Sequence, residues 1–118
     1  MRQTMNEVDG HRAKSIPWLL MLYREDENDS VQAHAIRGLG RMRDRNLTDF
    51  FIEVLKSGRH EDFRSNAAWA LGGLGHQGVL ADLEEASRGD SSEKVRKEAQ
   101  KATETIHLAL GGKNGEAK

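Results

Sequence analysis

The chain carries few residue combinations that could perform catalysis or hold a metal ion. Its five histidines stand at positions 11, 34, 60, 76 and 107, and no two have H-x-x-x-H or H-E-x-x-H spacing. Such spacing would place two imidazoles on one helix face, where both could bind zinc. The sequence contains no cysteine, so a thiolate nucleophile and a disulfide are both excluded. We therefore expect no catalytic residue, no metal site and no cofactor.

The balance of charges argues against two classes of partner. Eighteen basic and 19 acidic residues leave a formal charge of −1, which gives no net basic field for nucleic acid or an anionic membrane. A basic stretch with arginines at 37, 41, 43 and 45 could contact nucleic acid, but aspartates at 44 and 49 interrupt it, and a solvated outer face is the favoured interpretation. No apolar run approaches the roughly 18 residues that span a bilayer. We expect neither nucleic acid nor a membrane as partner and, since cysteine is absent, a cytoplasmic location.

The elements that position these residues are repeated along the chain. Residues 31–43, 63–75 and 95–107 are three versions of one segment at a spacing of 32 residues. Alanine occupies the fifth position of each, at Ala35, Ala67 and Ala99. A fixed period of this size indicates stacked repeats, none of which buries its apolar face alone.

Apolar periodicity and turn signals predict six helices, alternating short and long. The short helices cover about 14–24, 47–56 and 79–86, and the long ones about 30–42, 61–74 and 93–110. This gives a polar N-terminal lead-in (1–13), a repeat domain (14–110) and a flexible C-terminal tail (111–118). Glycines in the long helices permit either close helix approach or, at Gly38, Gly72 and Gly75, capping of shorter helices.

The segments VQAHAIRGLGRM and FRSNAAWALGGLG resemble the HEAT-like repeats of phycobilisome bilin lyases, whose first helix reads roughly V-R-x-x-A-x-x-A-L-G-x-[IL]-G. The resemblance implies an all-α superhelix, a HEAT-like solenoid of about three helical pairs with the first incomplete. Long helices would lie outside and short helices would line a concave face. In this family Arg and Asp side chains stack between repeats, and Gln32, where arginine is usual, predicts an interrupted ladder.

The short helices carry the candidate binding surface. If Leu19, Leu20 and Tyr23 face the core, one face runs from apolar to acidic along the three short helices. Its residues are Trp18, Met21 and Leu22, then Asp49, Ile52 and Glu53, then Asp82 and Glu85. Exposed aromatic and aliphatic side chains together often mark an interface. Two alternatives stay open: residues 1–13 fold back over Trp18, or the helix is rotated by one position.

These observations favour a small, non-catalytic protein-interaction module or adaptor. Its partner would bind the concave short-helix face through a basic segment, or would be a second copy of the chain that associates through the N-terminal helix. The competing class is an enzyme or lyase subunit of the bilin-lyase or HEAT-like glycosylase kind, as the resemblance allows. An enzyme needs a titratable residue in a pocket, whereas this sequence offers acids on an open face.

Overall fold

The computed structural model describes residues 12–117, with side chains from 15 to 111. Most of the expected N-terminal lead-in, and with it the alternative that this segment covers Trp18, lies outside the described residues. Within them the chain forms six α-helices and no strand, which confirms the all-α fold. The helices are α1 (Arg12–Glu25), α2 (Asp29–Arg41), α3 (Thr48–Ser57), α4 (Glu61–Leu74), α5 (Leu80–Gly89) and α6 (Glu93–Ala117), and single 3-10 turns at Arg45–Leu47 and Gln77–Val79 lead into α3 and α5.

The six helices are arranged in two layers. The even helices α2, α4 and α6 lie side by side with α4 in the middle, and each odd helix packs closely on the even helix that follows it. The odd helices α1, α3 and α5 make little backbone contact with one another. This succession of neighbour contacts is that of an α-solenoid, in which each repeat is stabilised by the next.

The repeated apolar positions form the core. Ala35, Ala67 and Ala99 are all buried, as are Phe63 and Val95 at the first position of their repeats. An aromatic cluster joins three helices: the ring of Tyr23 in α1 meets Phe50 of α3 and Phe63 of α4 edge to face, at centroid distances of 5.6 and 5.5 Å. The predicted orientation of the short helices, with Leu19, Leu20 and Tyr23 toward the core, is that of the structure.

The glycines divide between the two roles left open by the sequence. A methyl group at Gly40 would lie 2.7 Å from the Trp69 ring, and one at Gly72 would lie 2.9 Å from Cβ of Ala102, so both allow close helix contact. Gly38 also lies inside its helix and faces Leu19. Gly75 has φ of 66° and caps α4, which is the role that a left-handed backbone gives to glycine.

Several helix ends differ from the prediction, and α5 extends to Gly89, three residues beyond its expected end. Helix α1 begins at Arg12, so Pro17 lies inside it. The N-cap of α2 is Asn28, whose side-chain oxygen accepts hydrogen bonds from the backbone N–H groups of Ser30 and Val31. The helical geometry of α6 breaks at Gly111, where φ is −169°, and the helical backbone then continues to Ala117. The expected tail, 111–118, begins at that break.

Candidate protein-interaction surface

The apolar end of the candidate surface lies on α1. Trp18 is 54% exposed and Met21 is 45% exposed. They are three residues apart and therefore lie on the same side of the helix, one turn from each other. Leu19 and Leu20 pack against the core from the opposite side, and this packing turns the indole outward. Leu22, the third apolar residue predicted here, is half-buried.

The middle of the surface lies on α3. Asp49 and Glu53 are exposed, whereas Ile52 is half-buried and packs against the core. Asp49 and Ile52 line a groove of about 450 Å³ between α3 and the turn that precedes α5. Ile52 therefore presents only part of its side chain to a partner, because the remainder serves the core.

The acidic end lies on α5. Glu85 is exposed, and Asp82 is half-buried with its Oδ1 atom 2.9 Å from Lys56 Nζ. The hydrogen bond with Asp82 raises the pKa of Lys56. These residues line a second groove of about 310 Å³ between α3 and α5. Asp82 thus already has a cationic partner within the chain, which sequence spacing did not reveal.

The structure brings the eight predicted surface residues into three groups. Asp49 and Ile52 share the first groove, Asp82 and Glu85 share the second, and the α1 residues border neither. Glu53, the eighth residue, lies on α3 near Tyr23 of α1. Burial raises the pKa of Tyr23, and the nearby carboxylate of Glu53 raises it further. We use the term short-helix face for these eight residues on α1, α3 and α5: Trp18, Met21, Leu22, Asp49, Ile52, Glu53, Asp82 and Glu85.

The polar cluster His60-Glu61-Asp62 is a helix cap. His60 is the N-cap of α4, and its Nδ1 atom accepts a hydrogen bond of 3.0 Å from the backbone N–H of Asp62. Within residues 15–111, no group of three histidines or carboxylates is placed to hold a metal ion. The imidazole therefore satisfies a backbone donor that the helix leaves free.

Hydrogen bonds and ion pairs between side chains of neighbouring repeats fix the positions of the helices that carry this surface. Arg64 donates from Nε and Nη2 to the two carboxylate oxygens of Asp90, at 3.0 and 3.1 Å, and from Nη1 to the carbonyl of Gly58 at 2.8 Å. Arg96 donates to the carbonyl of Asp90 at 2.7 Å. Burial alone would raise the pKa of Asp90, but the hydrogen bonds from Arg64 and Ser92 and the charges of Arg64 and Arg96 hold it below its ordinary value.

One repeat earlier, an arginine at a different position forms the hydrogen bonds between repeats. The two positions equivalent to Arg64 and Asp90 are Gln32 and Gly58, neither of which is charged. Arg59 fills the gap, since its Nη2 atom donates to Gln32 Oε1 at 2.9 Å and to Asp29 Oδ1 at 2.6 Å. The predicted interruption of the ladder is therefore bridged by a residue outside the repeat pattern. The paired loss of charge at 32 and 58 was the signal available in the sequence.

No helix within residues 12–117 combines the length and the apolar character needed to cross a membrane. That finding concerns the described helices alone.

Comparison with known proteins identifies the repeats. The profile of the family described as HEAT repeats matches residues 16–104, which covers most of α1, all of α2 to α5 and most of the regular part of α6. An uncharacterized protein from the gldA 3′ region of Geobacillus stearothermophilus is 33% identical over 76 residues, which are 64% of this chain and 35% of that relative. The chain thus matches about a third of the length of this relative. No solved structure gives a significant match.

Proposed function

Because the chain belongs to the HEAT-repeat family, whose repeats generally mediate protein–protein interaction, we propose that it is a small non-catalytic adaptor that binds a protein on its short-helix face. The exposure of Trp18 beside Met21 carries this proposal. A large indole left in water forgoes the free energy that its burial would contribute, and such aromatic residues are frequent energetic centres of interfaces.

The charge of the short-helix face indicates the charge of its partner. Asp49, Glu53 and Glu85 are exposed acids on the same face, so a partner segment that carries lysine or arginine would complement them. Asp82 contributes less to this attraction because Lys56 already neutralises it. We also propose that this face is concave and that the chain belongs to the bilin lyase-type subgroup. The match of residues 63–75 to the consensus of that subgroup supports the second point.

The positions of the acids support a non-catalytic role. General acid–base catalysis requires a carboxyl group whose pKa is tuned by burial or by close neighbours. Asp49, Glu53 and Glu85 are exposed to water, and the half-buried Asp82 is held by an ion pair. The arrangement suits long-range attraction and orientation of a partner. The cytoplasm, which the cysteine-free sequence favours, is the compartment in this proposal.

The test compares three single variants of the full chain. Proteins captured by the wild-type chain from a lysate of the source organism are identified, and their affinities are then measured with Trp18→Ala, Glu85→Ala and Leu108→Ala. Leu108 is the matched control, because it is 72% exposed and lies on α6, a helix that carries none of the eight residues of the short-helix face. We expect Trp18→Ala to weaken binding by roughly 30-fold, Glu85→Ala to change mainly the association rate, and Leu108→Ala to have no effect.

Circular dichroism should show that Trp18→Ala stays folded, since the side chain it removes is half in water. Equal binding by Trp18→Ala and the wild type would refute the proposed face. Sedimentation analysis separates the two kinds of partner. A dimer that Trp18→Ala abolishes identifies a second copy bound through α1, whereas a monomer at high concentration identifies a foreign protein.

A further inference from the structure

The layer of even helices carries a third groove, which is lined by residues of the even helices and by none of the short-helix face. It encloses about 540 Å³ between α2, the first half of α4 and the start of α6. Its lining includes Arg37 and Arg41 of α2, Asn66 of α4 and Lys94 of α6. We call it the arginine groove.

Arg37 is held in place by two neighbours, Trp69 and Asn66. Its Cζ atom lies 3.9 Å from the centroid of the Trp69 ring, a stacking distance for a guanidinium on an indole. Its Nη1 atom donates to Asn66 Oδ1 at 2.9 Å, and the Asn66 amide in turn donates to the carbonyl of Ala33 at 3.0 Å. Much of the side-chain entropy that binding normally costs has therefore been lost already on folding.

Among the side chains from 15 to 111, neither arginine of this groove has a carboxylate partner. Asp62, which also lines the groove, forms an ion pair with Lys94, and Asp29 forms one with Arg59. Arg37 and Arg41 form no ion pair with any carboxylate in residues 15–111. They are one helical turn apart on α2, a spacing at which like charges repel each other. The groove thus holds two cationic groups whose repulsion an anionic ligand would relieve.

We propose that the arginine groove binds an acidic segment of a protein partner, at a site separate from the short-helix face. Arg37 donates to one carboxylate through the N–H groups that Asn66 leaves free, and Arg41 donates to a second carboxylate about 6 Å away, the separation of side chains one turn apart on a helix. Lys94 already pairs with Asp62, so Arg37 and Arg41 are the lining arginines left for a ligand. Two such charges suit two discrete carboxylates better than the continuous phosphate backbone of a nucleic acid.

The test is isothermal titration calorimetry at about 0.15 M salt with an alanine-based helical peptide that carries two glutamates one turn apart. A peptide of the same length with glutamines in their place is the ligand control. We expect saturable binding of the glutamate peptide with Kd below about 1 mM, and none of the glutamine peptide. Arg37→Gln should weaken binding about tenfold or more, and Arg41→Gln several-fold.

The protein control is Arg24→Gln, which removes the same charge from an exposed arginine at the end of α1 and should bind as the wild type does. Trp18→Phe leaves Trp69 as the sole tryptophan. In that variant, the fluorescence emission of Trp69 should change when the peptide binds, because Arg37 covers the indole ring. Arg41 does not stack on Trp69, so Arg41→Gln tests the groove even if Arg37→Gln fails to fold.

Four results would overturn the proposal. The first is that the wild type shows no saturable binding, and the second is that Arg24→Gln weakens binding as much as the groove variants do. The third is that an equal concentration of inorganic phosphate fully displaces the peptide. The fourth is that duplex DNA binds more tightly than the peptide. None of them bears on the short-helix face, since neither Trp18→Ala nor Glu85→Ala alters the groove.

Discussion

At the residue scale, two adjacent glycines of α4 have opposite surroundings. Gly72 faces α6, where an added Cβ would lie 2.9 Å from Cβ and 3.0 Å from Cα of Ala102. Gly73 is exposed, and an added Cβ there would meet no neighbouring atom within 4 Å. Gly72 is thus needed for close packing, whereas Gly73 retains only the entropic penalty of glycine in a helix.

We therefore expect Gly72→Ala and Gly73→Ala to change stability in opposite directions. Gly72→Ala must separate α4 from α6 and should lower the free energy of unfolding by about 1–3 kcal/mol. Gly73→Ala should raise it by up to about 1 kcal/mol through helix propensity. Urea unfolding measured for both variants checks this. A rise in stability for both variants would show that helix propensity, and not packing, decides the outcome.

Asp90 is the residue on which the ladder between repeats depends most. Its side chain is only 10% exposed, and it accepts from Arg64 and from the backbone N–H of Ser92. Asp90→Asn would remove the negative charge beside Arg64 and lose one acceptor. We expect this substitution to lower the free energy of unfolding by about 3 kcal/mol near neutral pH.

The effect of Asp90→Asn should depend on pH. The pKa of Asp90 in the folded chain lies below its ordinary value of 3.8, so its carboxylate stabilises the fold fully above that value. The contribution is lost as the pH falls through the folded pKa. Urea unfolding at several pH values should therefore show wild type and variant converging below about pH 4. The control is Asp82→Asn, whose ion pair with the exposed Lys56 is weak, so the free energy of unfolding should stay nearly unchanged.

At the element scale, the repeat spacing was sufficient to predict the helices but not all of their ends. The period of 32 residues aligned Ala35, Ala67 and Ala99, which the structure buries. The N-cap of α2 could not be singled out in the sequence, because Asn28, Asp29 and Ser30 are equally good capping residues and only backbone geometry selects among the three. Helix periodicity was also sufficient to place Trp18 and Met21 in water.

Other features of the surface could not be predicted, because they depend on contacts between elements distant in sequence. The ion pair of Lys56 with Asp82 and the stacking of Arg37 on Trp69 each join two helices. Arg59 substitutes for the missing ladder arginine from a position that the repeat does not mark. Likewise, Ile52 was grouped with exposed residues, although its side chain packs partly into the core because α3 adjoins α4.

At the scale of the whole molecule, stability should be highest in the middle of the chain and lower toward α1. Helix α4 packs against α2, α3 and α6, and eight of its residues are buried. Helix α1 packs mainly on α2, and its side chains from 15 to 25 are half-buried or exposed. In an array whose repeats contact only their neighbours, an element with one neighbour opens more readily than one with several.

Native-state hydrogen exchange should resolve this gradient. We expect amide protons of α4 to exchange only by global unfolding and those of α1 to exchange through local opening, at a lower free energy.

The gradient should respond to Gly72→Ala and Trp18→Ala in different ways. Gly72→Ala should lower protection in α4 and α6 together, because it disturbs their shared interface. Trp18→Ala should leave α4 unchanged, since the indole lies half in water. Protection of α1 equal to that of α4 in a monomer would contradict the gradient. Protection of α1 that rises with protein concentration would instead show that a second copy covers it.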